Sequence, residues 1–224
     1  MIPRLSQHLS FPSPQSASPE GIVAYGGDLS PSRIMLAYRN GIFPWYSAGD
    51  PILWWSPNPR LILELDDFKL HKSLRKKIPH FEIRFDTAFS EVIRACAQIP
   101  RRKQAGSWIV PEMIEAYETL HALGYAHSVE AYQNGELVGG LYGVSVGAVF
   151  CGESMFARVS DASKVAFAVL VDHLRQCGYA FIDCQVPTVH LKSLGAIEVS
   201  RDVFLEKLAR CSNENVSVEG WGSR

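Results

Sequence analysis

Apolar positions follow more than one period along this chain, and the change of period divides it. In GGDLSPSRIMLAYRNG, Ile34, Leu36, Ala37 and Tyr38 make one apolar side. Ser30 stands as N-cap, Pro31 in the first turn and Gly41 after the end, so the stretch predicts a helix. The next stretch, GIFPWYSAGDPILWWSPNPR (41–60), keeps no regular period. It holds Trp45, Trp54 and Trp55 with Phe43 and Tyr46, and Pro44, Pro51, Pro57 and Pro59. Prolines at that density argue against a long helix and a central strand, which predicts a stiff, irregular aromatic loop. At RLILEL (60–65) the pattern becomes that of a strand. Residues 1–29, rich in Pro, Ser and Gly, predict ordered loop. A boundary near residue 61 follows, with a small N-terminal α/β domain (1–61) and a larger domain (62–224).

The larger part alternates between periods. HKSLRKKI (71–78) predicts a short basic helix, FEIRF (81–85) a strand and TAFSEVIRACAQI (87–99) a helix. PEMIEAYETLHALG (111–124) runs from a helix-starting proline to a helix-ending glycine. HSVEAYQ and ELVGGLYGVSV flank Asn134-Gly135, a strong hairpin signal. AVFCGESMF (148–156) predicts a third antiparallel strand, DASKVAFAVLVDHLRQCG (161–178) a long helix and YAFIDCQV (179–186) a strand. Helices over 188–196 and 201–210 follow, and SNENVSVEGWGSR predicts a weakly ordered tail. The fold class is α+β with a mixed, mainly antiparallel sheet. A three-strand meander, a crossover helix and another strand is also the element order of the N-acetyltransferase (GNAT) core, an analogy that says little about chemistry.

Composition narrows the classes. The chain has 224 residues, 47% hydrophobic and 20% charged, with net charge −1. That is a globular composition, and only local charge clusters can point to a polyanion partner. Five cysteines without a C-x-x-C pair predict neither a disulfide framework nor a zinc knuckle. No signal-peptide core and no membrane-length apolar run is present, so the expectation is a cytoplasmic monomer with reduced thiols and no membrane partner.

Two stretches carry candidate chemistry. In FCGESMF, Glu153 lies among apolar residues at a strand's end, where a partly desolvated carboxylate can recognise a cation, or simply face water. In FIDCQV, period-two alternation places Asp183 and Gln185 on one face of an apolar strand, opposite Ile182 and Cys184. A carboxylate beside a carboxamide suits proton acceptance and orientation of an amine or hydroxyl. A hydrogen-bonded core pair is the alternative. GESMF is not a nucleophile elbow, and Cys151 and Cys184 read as small core hydrophobes. No histidine spacing suits a metal. The turn ARVSDASK (157–164) has no glycine, against an acyl-CoA pyrophosphate site. His71, Lys72, Arg75, Lys76 and Lys77 form one basic cluster, and Arg101, Arg102 and Lys103 another. With aromatics nearby, they suit single-stranded nucleic acid as well as an ordinary solvated face.

GGDLSPSRIMLAYRNGIFPWYSAGDPILWWSPNPR, SWI at 107–109, HSVEAY, LVGGLYGVSVGAVFCGESMF, ASK and IDCQ resemble, collinearly from about Phe11 to Phe204, the bacterial leucyl/phenylalanyl-tRNA–protein transferases. The resemblance implies a small N-terminal domain on a GNAT-like C-terminal domain. It implies an aminoacyltransferase that moves Leu or Phe, with Met a third substrate, from aminoacyl-tRNA to proteins with N-terminal Arg or Lys, making an N-degron. No cofactor or metal is implied. By position, the catalytic pair falls on Asp183 and Gln185 and the adenosine-stacking residue on Trp45, near Tyr38. The amino-acid pocket falls on Leu141, Phe150, Phe167, Leu170 and Ile182, with Glu153 at its edge. Trp108 and Tyr117 match substrate-binding positions. Lys72, Arg75, Lys76 and Lys77 are then expected on the tRNA backbone, and Trp54 and Trp55 in packing the small domain.

Overall fold

The computed structural model describes residues 1–99, 108–217 and 221–222. The basic loop at Arg101–Lys103 lies outside them. The expected loop at the N-terminus carries strands β1 (Arg4–Leu5) and β2 (Ile22–Gly26). Helix α1 (Pro31–Arg39) follows as predicted, capped through the Ser30 carbonyl rather than its hydroxyl. The aromatic stretch folds into β3 (Phe43–Pro44) and β4 (Leu53–Trp55). These four strands form one sheet in the order β1-β2-β4-β3.

A central strand therefore exists inside the proline-rich stretch, contrary to the expectation. The physical reason is placement. Pro51 and Pro57 lie outside β4, and Pro44 sits in edge strand β3, so no central ladder bond loses its donor. Trp54 is fully buried in that sheet and donates its indole N–H to the Gly26 carbonyl.

The second sheet begins with β5 (Arg60–Glu64), buried except at its last residue. Helix α2 (Lys72–Arg75) is shorter than expected, because Pro79 turns the chain into a 3-10 segment. Then come β6 (Glu82–Phe85), α3 (Phe89–Gln98), α4 (Pro111–Ala122), β7 (Ala126–Gln133), β8 (Glu136–Val146) and β9 (Val149–Ala157). Next are α5 (Ala162–Cys177), β10 (Phe181–Gln185), α6 (Val189–Ser193), β11 (Ile197–Val199) and α7 (Arg201–Cys211). The seven strands run β11-β5-β10-β9-β8-β7-β6.

The meander β7-β8-β9 is antiparallel and turns at Asn134-Gly135, both at positive φ as a tight hairpin requires. The chain then crosses through α5 and returns as β10, parallel to β9. This is the mixed, mainly antiparallel α+β sheet with the expected GNAT-like order. Helix α5 covers one face of it, and α3 and α4 belong to the core on the other. The tail is more ordered than expected at one point: Trp221 is buried, stacked on His127 and Phe150.

Candidate active site

Strands β9 and β10 lie side by side, and their ends carry the chemistry. The pairing of β10 with β5 shifts by one residue between Asp183 and Gln185. Gln185 takes a left-handed backbone at φ 62°. The bulge overturns the period-two expectation. Gln185 now lines the same cavity as Ile182 and Cys184, and Asp183 does not.

That cavity has a volume of about 430 Å³. Leu141, Phe150, Phe167, Leu170 and Ile182 all line it, with Glu153 and Gln185 at one end. The Phe150 ring fits because residue 143 is glycine; a Cβ there would stand 2.5 Å from it. A smaller slot of about 90 Å³ opens on the other side of the same two polar residues, lined by Phe43, Trp45 and Trp108. Trp45 packs on Trp55 at 5.4 Å, and the Trp55 indole donates to the Trp45 carbonyl. Glu153 and Gln185 are thus the shared wall between an apolar cavity and an aromatic slot.

Glu153 gathers donors from three elements. Its Oε1 accepts from the Tyr38 hydroxyl of α1 at 2.6 Å and from the Gln185 carboxamide of β10 at 2.7 Å. Its Oε2 accepts from the Tyr117 hydroxyl of α4 at 3.3 Å, and the two phenols touch each other. Burial pushes the Glu153 carboxyl up to about 7, and the Asp183 charge adds to the rise against those hydrogen bonds. Burial and the neighbouring Glu153 push both tyrosines well above their ordinary range, so they remain donors.

Asp183 sits behind this wall. Its two oxygens accept from Nε and Nη2 of Arg60 at 2.8 and 2.7 Å, and Oδ1 also accepts the Gln185 backbone N–H at 3.0 Å. Both side chains of the ion pair are 1% exposed. Arg60 offsets the Asp183 charge, which leaves Glu153 as the carboxylate at the cavities without a cation partner among the described residues. Arg60 went unnoticed in the sequence. The available signal was the carboxylate predicted on an apolar central strand, which needs a cation partner, and the cation that opens RLILEL.

The remaining candidates fall as follows. Lys72, Arg75, Lys76 and Lys77 are exposed on and after α2, outside both cavities. Lys77 lines a neighbouring hollow with His71, Lys164 and His190, and His190 reaches the 430 Å³ cavity as well. Burial pushes the Cys151 and Cys184 thiols up, which keeps them from being thiolate nucleophiles. Among the described residues no group of histidine, cysteine and carboxylate side chains could hold a metal, and no helix is long and apolar enough to cross a membrane. A larger open groove, about 760 Å³, runs between the loop at 48–51 and α4 and contains none of the predicted site residues.

Comparison with known proteins bears on this geometry. A leucyl/phenylalanyl-tRNA protein transferase of Sulfurimonas denitrificans is 63% identical over 222 residues, 99% of this chain and 97% of its own. One from Syntrophotalea carbinolica is 57% identical, covering 92% and 91%. Among solved structures, a GCN5-related N-acetyltransferase from Kribbella flavida aligns at 13% identity with a TM-score of 0.39, covering 76% of this chain and 61% of that one, too distant to bear on function. The leucyl/phenylalanyl-tRNA protein transferase family model matches residues 62–209, and the model of its N-terminal domain matches residues 27–58. On this evidence the chain belongs to the leucyl/phenylalanyl-tRNA protein transferase family.

Proposed function

We propose that the wall formed by Glu153 and Gln185 is where this aminoacyltransferase joins the two halves of its reaction, the movement of leucine or phenylalanine from aminoacyl-tRNA to the N-terminal Arg or Lys of a protein. One observation carries the reading. A single carboxylate without a cation partner among the described residues separates an apolar cavity large enough for a Leu, Phe or Met side chain from a slot walled by Trp45 and Trp108. The aminoacyl side chain occupies the cavity, and the terminal adenine lies against Trp45. The ester between them then faces Glu153 and Gln185.

An aminoacyl ester is already activated, so the protein's task is to orient the partners and move a proton. The acceptor enters as an ammonium, with a second cation in its Arg or Lys side chain, and Glu153 draws both. An α-amino group has a pKa of about 8. Against Glu153 at about 7, the proton transfer is uphill by about one unit, or about 1.4 kcal/mol. The freed amine attacks the carbonyl carbon, the C–N bond forms and the ester C–O bond breaks. The amine's second proton goes to the departing ribose oxygen, and Glu153 releases the first to water. The Gln185 carboxamide nitrogen is engaged by Glu153, which leaves its oxygen to orient the amine. Asp183 acts through Gln185, whose N–H it holds.

Lys72, Arg75, Lys76 and Lys77 supply phosphate contacts to the tRNA without reading its bases. Charged tRNA is a cytoplasmic molecule, which puts the reaction there, and one chain supplies every group it uses, as a monomer would. The product carries a new bulky N-terminal residue, the N-degron. The direct test is transfer of radiolabelled leucine from charged tRNA to peptides beginning with Arg, Lys or Ala. Only the first two should accept label. Equal labelling of the Ala peptide would overturn the role given to Glu153.

A further inference from the structure

Arg60 lines neither cavity, yet it is among the largest fully buried side chains of the protein. Its guanidinium is used on every side. Two N–H groups fork onto Asp183, Nη1 donates to the Gly41 carbonyl at 3.1 Å, and the rings of Phe204 and Phe43 lie 4.3 and 4.9 Å from its centre. A buried ion pair is weak evidence for stability by itself, since apolar residues of the same volume often serve as well. Its geometry matters more. The same Asp183 oxygen that accepts from Nε of Arg60 also accepts the Gln185 N–H. Gln185 has a left-handed backbone, a state that bulky residues keep only where the surroundings impose it. Its carboxamide is then delivered to Glu153 at 2.7 Å.

We propose that Arg60 is a positioning residue for the transfer reaction: by fixing Asp183 it fixes the left-handed turn at Gln185, and so aims the Gln185 carboxamide at the reacting amine. The proposal rests on the function assigned above to Gln185 and Glu153. Arg60 touches no substrate. A lysine in its place keeps the charge but cannot grip both Asp183 oxygens and the Gly41 carbonyl in one plane. The turn at Gln185 then loosens while the amino-acid cavity and the Trp45 slot keep their walls.

A double-mutant cycle over Arg60→Lys and Gln185→Ala tests this, with kcat counted per folded molecule and KM measured for aminoacyl-tRNA. Arg60→Lys should lower kcat about 10- to 100-fold with KM changed by less than about 3-fold. In the Gln185→Ala background the same substitution should add almost no further loss, because the group it positions is gone. Equal losses in both backgrounds, or an unchanged kcat, would overturn the proposal. If Gln185→Ala alone leaves kcat intact, the underlying reading of the site fails first, and the two failures are thereby told apart. Should Arg60→Lys not accumulate folded, the apolar pair Arg60→Met with Asp183→Leu takes its place in the cycle, with the same expected loss and the same overturning results.

Discussion

The carboxamide nitrogen of Gln185 donates to Oε1 of Glu153 at 2.7 Å, across the boundary between two neighbouring strands. This contact gives the anion of the site a partner on the strand that carries the bulge. It also makes the protonation state of Glu153 visible to the catalytic geometry. Transfer by the native protein should rise with pH through two limbs, one near 7 from Glu153 and one near about 8 from the acceptor amine. Glu153→Gln should remove the lower limb and cut kcat by about 10²- to 10⁴-fold. A kcat profile at saturating substrates reads this directly, and a surviving limb near 7 would assign it to another group.

The same carboxyl has a stability signature of opposite sense. Its folded pKa is raised from an ordinary 4.5 to about 7. A raised value means that the folded state holds the proton more tightly. The favourable contribution is therefore full below about pH 4.5 and is lost as pH rises through 7. Glu153→Gln, which cannot ionise, should gain on the native protein as pH rises over that window, by an amount on the order of 1–3 kcal/mol. Urea unfolding at pH 5 and pH 8 compares the two, and the advantage of the variant should be larger at pH 8.

Trp45 and Trp54 of the aromatic stretch separate by burial. Trp54 is 0% exposed and hydrogen-bonded to Gly26, whereas Trp45 lines the slot. Trp45→Ala should raise KM for aminoacyl-tRNA about 10- to 100-fold, the worth of one stacked base, with little change in melting temperature. Trp54→Ala should instead cost about 3–5 kcal/mol of stability and leave KM of the folded fraction unchanged. Thermal melts beside steady-state kinetics distinguish them.

Local signals made much of this fold legible. The Pro and Gly punctuation around α1 and α4, the long apolar face of α5 and the Asn-Gly hairpin all act within a few residues, so the sequence displays them. Strand β4 was hidden because its three residues are too short to show a period beside four prolines. The bulge at Gln185 was hidden for another reason. Its two anchors are tied far along the chain: Asp183, which holds the Gln185 N–H, is bonded to Arg60 123 positions away, and Glu153, which holds the Gln185 carboxamide, is bonded to Tyr38 115 positions away. FCGESMF and FIDCQV marked where polar groups stand on apolar strands. They could not show that the groups are bonded to each other, or that one of them is already neutralised.

The apolar cavity gives a prediction about substrate choice. Leu170 is 1% exposed and lines the cavity from α5. Leu170→Phe brings a ring toward the space that the aminoacyl side chain needs. Phenylalanine, the larger substrate, should lose more than leucine, shifting the Leu-to-Phe ratio of kcat/KM about 10-fold toward leucine, within the range that one or two methylenes command in an apolar pocket. Competition between the two charged tRNAs in one reaction measures the ratio, and an unchanged ratio would move the selective contact elsewhere in the cavity.

The basic surface beside α2 makes the last prediction. Arg75, Lys76 and Lys77 are exposed and form no ion pair among the described residues, so their charge is available to a polyanion. Each phosphate neutralised releases about 0.9 of a condensed counterion on a duplex stem. Replacing all three residues with Ala should therefore lower the slope of log affinity against log salt by about 2–3, while raising KM for aminoacyl-tRNA at low salt. The kcat at saturation should stay within about 2-fold, because these residues stand outside both cavities and binding the tRNA body is uniform to ground and transition states. Fluorescence-monitored tRNA binding over about 50 to 300 mM salt, where the slope is steep, gives the number. An unchanged slope would take these three residues off the tRNA and leave Lys164 and His190, which line the adjoining hollow, as the next residues to neutralise.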